Sequence, residues 1–337
     1  MTKRKPDLMK IKRLNLLLTY RCNSHCRHCC YFCGLEGKGL MTASEISRYL
    51  RALKEHPLES VWIYGGEPFL YPRVLTETVK IVRRKGIPEI GILTNGYWAK
   101  RQETARKRLD QLKQAGLTAL TISTDGFHAQ CIAPELAITA GQLALDAGIE
   151  RVTYSVAFLP PRGASNRYNN LSEDIWNRLE SRNGIPLREE TVTTVGRAAE
   201  HLLEHYRLKK LGRKKACRPP AYIGGTWKNP QGLEIDPHGW VMLCPGLSLG
   251  RVGRQPLEAL LQRFQQDGDP LWKCVREKGP HGLLDMAVRQ GYRPRDGYVD
   301  TCHLCYDVRK YLLPSFKETI SPGDCYREPA GTGRRPQ

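Results

Sequence analysis

Five of the twelve cysteines in this chain fall between Cys22 and Cys33, and Cys22, Cys26 and Cys29 follow a C-x3-C-x2-C spacing. Three thiolates on one short loop can hold three irons of a four-iron cluster and leave the fourth iron open to a ligand. The same loop also suits a zinc ion whose fourth ligand comes from His25, His28, Cys30 or Cys33. Late in the chain stand Cys217, Cys244, Cys274, Cys302 and Cys305, with Cys325 beyond them. Cys302-His-Leu-Cys305 is a C-x2-C pair, which with two distant cysteines fits zinc as well as it fits an iron–sulfur cluster. Cys131 stands apart and reads as an ordinary buried thiol.

Other groups recur in short turns. In Gly65-Gly66-Glu67-Pro68 the two glycines let backbone approach a ligand closely, and the carboxylate suits an ammonium group. Thr94-Asn95-Gly96 and Ser123-Thr124-Asp125-Gly126 are common turn motifs taken singly. Gly196-Arg197-Ala198 offers a guanidinium that either pairs with a ligand acid or stands solvated at a helix start. His128, near Asp125, is either a loop residue or a group that touches substrate.

The elements that must position these groups repeat about every thirty residues. Apolar runs predict strands at Leu14 to Leu18, Val61 to Tyr64, Ile90 to Leu93, Ala119 to Ser123, Arg151 to Ala157 and Glu190 to Val195. Helical patterns follow them. One starts near Thr42, where Thr42 and Glu45 form a capping box. Others run from Arg73 to Lys85, up to Gly116, from Pro134 to Gly148 and from Gly196 to about Arg207. A longer polar connection is expected from Pro160 to about Arg188. Strand–helix alternation implies parallel strands with right-handed crossovers, as an open six-unit partial barrel or a doubly wound sheet. The proposed turns all fall at strand C-termini, the rim where barrels build their sites.

From about Leu208 the rhythm fades while glycine, proline, cysteine and aromatics rise. The expected organisation is a basic N-terminal segment (1–13), a barrel (14–207), a cysteine-rich α+β domain (208–320) and a disordered tail (321–337). The net charge of +19 favours polyanionic partners or reflects general surface charge. Arg207 to Arg218 holds seven Lys or Arg, but no aromatic stacking motif accompanies that run, so nucleic acid is the less favoured partner. No apolar run reaches membrane-spanning length, and Leu14 to Leu18 is too short for a signal-peptide core. A cytoplasmic location without membrane association is expected, and there clustered cysteines more often bind metal than form disulfides.

C-x3-C-x2-C after the first strand, followed by Gly65-Gly66-Glu67-Pro68 after the second, closely resembles the radical S-adenosylmethionine (SAM) superfamily. The resemblance covers about residues 14–207 and implies a partial TIM-like barrel. It implies that Cys22, Cys26 and Cys29 bind a 4Fe-4S cluster whose open iron takes the methionine part of SAM. Gly65, Gly66, Glu67 and Pro68 would hold the SAM amino group. Asn95, Ser123, Asp125 and Arg197 would complete the pocket. This chain departs from the family in placing His28 where an aromatic residue often precedes the third cysteine. Residues 217–313 are similar to the auxiliary-cluster domains called twitch and SPASM. Leu233 to Cys244 reads as a hairpin with Gly239-x4-Cys244, and Cys302 opens a last helix ending near Leu313. That likeness implies a second 4Fe-4S cluster on Cys217, Cys244, Cys302 and Cys305, with Cys274 as substitute for Cys217 and zinc as the alternative. The expected activity is reductive SAM cleavage and hydrogen abstraction from a peptide or protein. The electron donor would be flavodoxin or ferredoxin. RNA, a small molecule, or a non-catalytic zinc-binding adaptor are the alternatives.

Overall fold

The structure is a computed structural model that describes residues 9–181, 184–213 and 217–328. Residues 1–8 of the basic N-terminal segment, Lys214 and Lys215 of the basic run, and 329–337 of the expected tail lie outside the described residues.

Six strands lie side by side in parallel: β1 (Arg13–Leu17), β2 (Ser60–Tyr64), β3 (Glu89–Thr94), β4 (Ala119–Ser123), β5 (Arg151–Phe158) and β6 (Leu187–Thr191). Leu14, Leu16, Val61, Ile63, Ile90, Ile92, Leu120 and Ile122 are fully buried, as strands covered on both faces require. The crossovers carry α1 (Ala43–Ala52), α2 (Pro72–Arg84), α3 (Gln102–Ala115), α4 (Pro134–Asp146) and α5 (Arg167–Glu180). Thr42 caps α1 in the expected capping box with Glu45. Gly116 ends α3 at φ 109°, a conformation that costs glycine nothing.

Three expectations are corrected here. The polar connection after β5 contains α5, whose Tyr168, Ser172, Ile175 and Leu179 form one buried helical stripe. Asn166 caps it, accepting from the Tyr168 and Asn169 amides. Strand β6 lies earlier than Glu190 to Val195, because its register pairs Tyr154 with Leu187 and Phe158 with Thr191. Val192 and Ala198 instead pack with Cys26, Phe127 and Leu202 under the rim. The helix expected to reach Arg207 is only α6 (Arg197–His201), ended at Leu202 by a non-helical φ of −124° and followed by a 3-10 turn.

After a two-residue hairpin, β7 (Gly225–Thr226) with β8 (Asn229–Pro230), the chain returns to the barrel sheet. Strand β9 (Gly232–Ile235) pairs in parallel with β1, covering what would otherwise be a bare edge. Antiparallel β10 (Trp240–Cys244) and β11 (Leu247–Arg251) extend the sheet to nine strands, with Gly239 at φ 84° in the β9–β10 turn. Helices α7 (Leu257–Gln265), α8 (Pro270–Val288, broken at Gly279) and α9 (Thr301–Leu312) complete this part. The tail does not become irregular at residue 321. Cys325 and Tyr326 are buried, and Tyr326 donates to the Gly246 carbonyl at 2.7 Å and stacks on Tyr306. Among the described residues no helix is long and apolar enough to cross a membrane.

Candidate functional site

Strand β1 ends just short of the cysteine loop, which folds back on itself through Cys22 N–H to the Gly34 carbonyl (2.9 Å) and Met41 N–H to the Leu18 carbonyl (3.0 Å). The turn after β2 presses against this loop. Gly66 N–H donates to the Thr19 carbonyl at 2.7 Å and Glu67 N–H to the Arg21 carbonyl at 3.0 Å. A Cβ on Gly65 would meet the Thr19 oxygen at 2.4 Å, and one on Gly66 the Arg21 oxygen at 2.0 Å. Only glycine permits that approach.

Glu67 is buried, and its carboxylate ties two rim loops together. One oxygen accepts from Phe69 N–H (3.0 Å) and the Thr94 hydroxyl (2.8 Å), and the other from Asn95 N–H (2.8 Å). Pro68 starts the 3-10 turn that leads into α2. The Asn95 amide nitrogen donates to Asn23 at 2.9 Å and lies 3.9 Å from Cys22 Sγ.

Cys22 and Cys26 are buried and Cys29 is half-buried. Burial pushes the Cys22 thiol up, and the neighbouring Cys26, Glu67 and Cys29 charges push it the same way. The hydrogen bond with the Cys33 thiol pulls Cys29 down to about 6, aided by the Arg197 charge and opposed by burial. A thiol so lowered is a ready metal ligand at neutral pH. Burial raises the Cys30 thiol to about 12 and also raises Cys33, whose bond to Cys29 is the larger cause.

Ser123 lies half-buried at the end of β4. Asp125 is buried, and it accepts from the Phe127 and His128 amides and from His128 Nδ1 at 2.9 Å. Burial opposes a charged His128, but Asp125 and Cys26 raise its pKa well above the ordinary value. His28 lies between Phe127, tilted against it at 4.5 Å, and His128, edge-on at 5.1 Å, and burial pushes it down to about 4. Arg197 does not stand solvated. Its guanidinium is buried and donates to the Cys33 carbonyl at 2.8 Å and to Glu328 at 2.8 and 3.0 Å, while its N–H donates to the Cys29 carbonyl.

In the C-terminal part Cys244 ends β10, and Cys302 and Cys305 sit in the first turns of α9. Burial raises the Cys244 thiol, and Cys305, Cys302 and Cys217 add to the rise while Arg309 opposes it. The four thiols are therefore electrostatic neighbours. Trp227 donates to Cys217 Sγ at 3.3 Å. Arg309 is fully buried beside them, donating to the Pro245 carbonyl at 2.8 Å and the Cys305 carbonyl at 3.2 Å. Cys274 on α8 faces Lys278, Arg289 and Asp285, away from the set. Cys325 faces Glu234 and Asp236. Cys131 is exposed on a turn before α4, which corrects the expectation of a buried thiol.

Between the two cysteine regions lies Glu234 on β9, fully buried. One of its oxygens accepts from Tyr31 at 2.7 Å and from Tyr64, and burial raises the acid to about 7. Tyr222 has both Cys30 and Cys244 among its charged neighbours, so this cluster of hydroxyls spans from one cysteine region to the other. Neither Glu234, Arg309 nor Glu328 stood out in the sequence, because nothing local marks a residue whose partners lie far along the chain. The histidine before Cys29 was the visible trace of the His28, Asp125 and His128 group.

These features define a partial β/α barrel with a thiol-rich loop and polar turns on one rim. Residues 16–163 match the family model of the radical SAM superfamily. Within this segment, which is under half of the chain, the protein is similar to that superfamily. It is 32% identical to the GTP 3′,8-cyclase of Aquifex aeolicus over 122 residues, which is 35% of this chain and 36% of that protein. It is 28% identical to YydG of Bacillus subtilis, named for peptide biosynthesis, over 35% of this chain and 37% of that protein. The chain thus spans little more than a third of the length of these curated relatives. The solved structure of native anSMEcpe with bound AdoMet and Cp18Cys peptide shares the fold, with a TM-score of 0.51 at 12% identity over 91% of this chain and 98% of that one.

Proposed function

We propose that this chain is a radical SAM enzyme that acts on a peptide or protein side chain. The observation that carries the proposal is the convergence of Cys22, Cys26 and Cys29 with Gly65, Gly66 and Asn95 on one rim of the barrel. The residues fit the group. The Cys29 thiol is lowered toward the thiolate that ligates metal, Cys26 and Cys29 are electrostatic neighbours of Cys22, and the two glycines let the Gly65-Gly66 turn press onto the cysteine loop.

When bound, the 4Fe-4S cluster and SAM supply one-electron cleavage of a carbon–sulfur bond and a 5′-deoxyadenosyl radical that abstracts hydrogen. The chain's own residues position and shield that chemistry. Glu67 locks the glycine turn to the loop carrying Asn95, and the backbone of that turn would hold the SAM amino group. Asn95 fixes the Cys22 sulfur. Ser123 stands at the end of β4 for the ribose or methionine carboxylate, and Asp125, just beyond it, could serve only a ribose hydroxyl. Arg197 holds the backbone of the cysteine loop, and so acts as a positioning residue. Phe127 and Tyr168, stacked 4.4 Å apart and buried, exclude water from that side.

Cys217, Cys244, Cys302 and Cys305 form the second metal site in this reading. The likeness of this part of the chain to auxiliary-cluster domains supports a 4Fe-4S cluster there, with zinc as the alternative that metal analysis separates. A cytoplasmic reductant such as flavodoxin or ferredoxin would supply electrons.

The peptide reading draws on YydG and on the peptide bound in the anSMEcpe structure. A nucleotide substrate is the second reading, favoured by the GTP 3′,8-cyclase relatives. The test is iron and sulfide content with EPR on anaerobically reconstituted protein, reduced with and without SAM, followed by assay with GTP. About eight irons and a reduced signal that SAM perturbs are expected. About four irons would return the C-terminal cysteines to zinc or structure, and none would end the proposal. GTP-dependent consumption of SAM would move the substrate to the second reading.

A further inference from the structure

Helices α2 and α3 pack side by side on the outside of the barrel and leave a groove of about 780 Å³ between them. Its walls are basic. Arg73, Lys80, Arg83 and Arg84 come from α2, and Lys107 and Arg108 from α3, against a single lining carboxylate, Glu77. Glu77 is already held by Arg84 at 3.1 Å, and Lys107 is held by Glu103 at 2.8 Å. Among the described residues no carboxylate pairs with Arg73, Lys80, Arg83 or Arg108. Four cations in one groove without counter-charge repel one another, and an anionic ligand would relieve that repulsion.

Position and shape narrow the ligand. The groove opens at Pro72, four residues past Pro68 on the active rim, and runs to Arg84 at the far end of α2. Thirteen helical residues span about 20 Å, the length of about six extended residues. Neighbouring helix axes stand only about 8–10 Å apart, which leaves the width of one extended chain and not of a nucleic-acid duplex. Gln111, Gln114, Thr76 and Thr104 offer donors and acceptors to a peptide backbone. No aromatic ring lines the groove for base stacking.

We infer that the α2–α3 groove is a docking site for an acidic, extended peptide segment whose other end reaches the active rim. The inference rests on the proposed peptide substrate and gives it a chemistry: glutamate- or aspartate-rich sequence remote from the modified residue. Binding energy from such a segment would position the reacting side chain without touching it.

The test uses the reconstituted full chain and a fluorescein-labelled octaglutamate peptide, read by anisotropy at low salt, with single-stranded RNA of equal charge in parallel. Arg73→Gln/Lys80→Gln/Arg83→Gln neutralises exposed groove residues. Arg207→Gln/Lys209→Gln/Lys210→Gln removes the same charge elsewhere. The groove variant is expected to weaken the peptide about tenfold and the control less than about twofold, with salt weakening both. Equal losses in the two variants, no peptide binding by the wild type, or groove-dependent binding of RNA but not peptide would each overturn the inference. Formation of 5′-deoxyadenosine by the groove variant is expected at the wild-type rate. Its absence in the wild type would instead count against the radical SAM reading.

Discussion

Cys22, Cys26 and Cys29 share one loop, shaped by its own hydrogen bonds and by the glycine turn pressed onto it. Cys217, Cys244, Cys302 and Cys305 are gathered from an irregular segment, a strand end and a helix start, with a buried arginine among them. The first site is local, so its integrity depends on backbone fit within the barrel. The second is assembled by long-range docking, so its integrity depends on how α9 seats against β10. If the two have the roles proposed, damage to the first stops all chemistry, while damage to the second leaves the first step running.

The largest effect tests that division. Cys26→Ala is expected to reduce 5′-deoxyadenosine formation to background, whereas Cys305→Ala keeps cleavage uncoupled from substrate. The check is chromatographic quantification of 5′-deoxyadenosine in reduced, reconstituted protein. Residual cleavage in Cys26→Ala would remove that thiol from the core site, and its loss in Cys305→Ala would erase the distinction between regions.

The same contrast explains what could be read from sequence. C-x3-C-x2-C and Gly65-Gly66-Glu67-Pro68 are contiguous, so spacing marked a metal-binding loop and a ligand-approaching turn while resemblance supplied the cluster and SAM, and the apolar strands β1 to β5 were visible as runs. Helix α5 was not, because its buried stripe is diluted by polar residues from Asn169 to Asp174. Val192 and Val195 suggested a strand because burial was mistaken for sheet pairing. The gathering of Cys217 with Cys302 was reached only through resemblance. Arg197 was placed at the rim correctly as a position, but its carbonyl partners and Glu328, from the other end of the chain, had no local signature.

A second way to sharpen the comparison is Gly66→Ala. The added methyl would meet backbone at 2.0 Å, with no flexible side chain to yield. Loop and turn must separate, at a strain of about 1–3 kcal/mol, and SAM affinity is expected to fall about tenfold or more. Equilibrium dialysis with labelled SAM measures it. The C-terminal thiols should retain their metal content.

Arg309→Met is the reciprocal disturbance. It leaves the Pro245 carbonyl without its buried donor and removes the cation beside Cys244 and Cys305. A loss of about 3 kcal/mol is expected in urea unfolding, with reduced metal content in the C-terminal site. The SAM-dependent EPR signal of the core should persist. If both sites fail together, the local and assembled regions are one cooperative unit.

The smallest effect concerns Glu234, which lies where the two regions meet. Its folded pKa is raised from 4.5 to about 7, chiefly by burial. Below pH 4.5 the acid is protonated in the folded and unfolded chains alike, so it costs nothing. As pH rises from about 4.5 to 7 the unfolded chain releases this proton while the folded one keeps it, and stability falls across that window. Glu234→Gln cannot ionise, and its amide oxygen can still accept from Tyr31 and Tyr64. The variant should therefore match wild type near pH 4.5 and exceed it by about 2 kcal/mol or less at pH 8. Urea midpoints at the two pH values decide it. A constant difference at both would mean that Glu234 is already ionised in the fold, and that the three tyrosines around it solvate a charge held between the two cysteine regions.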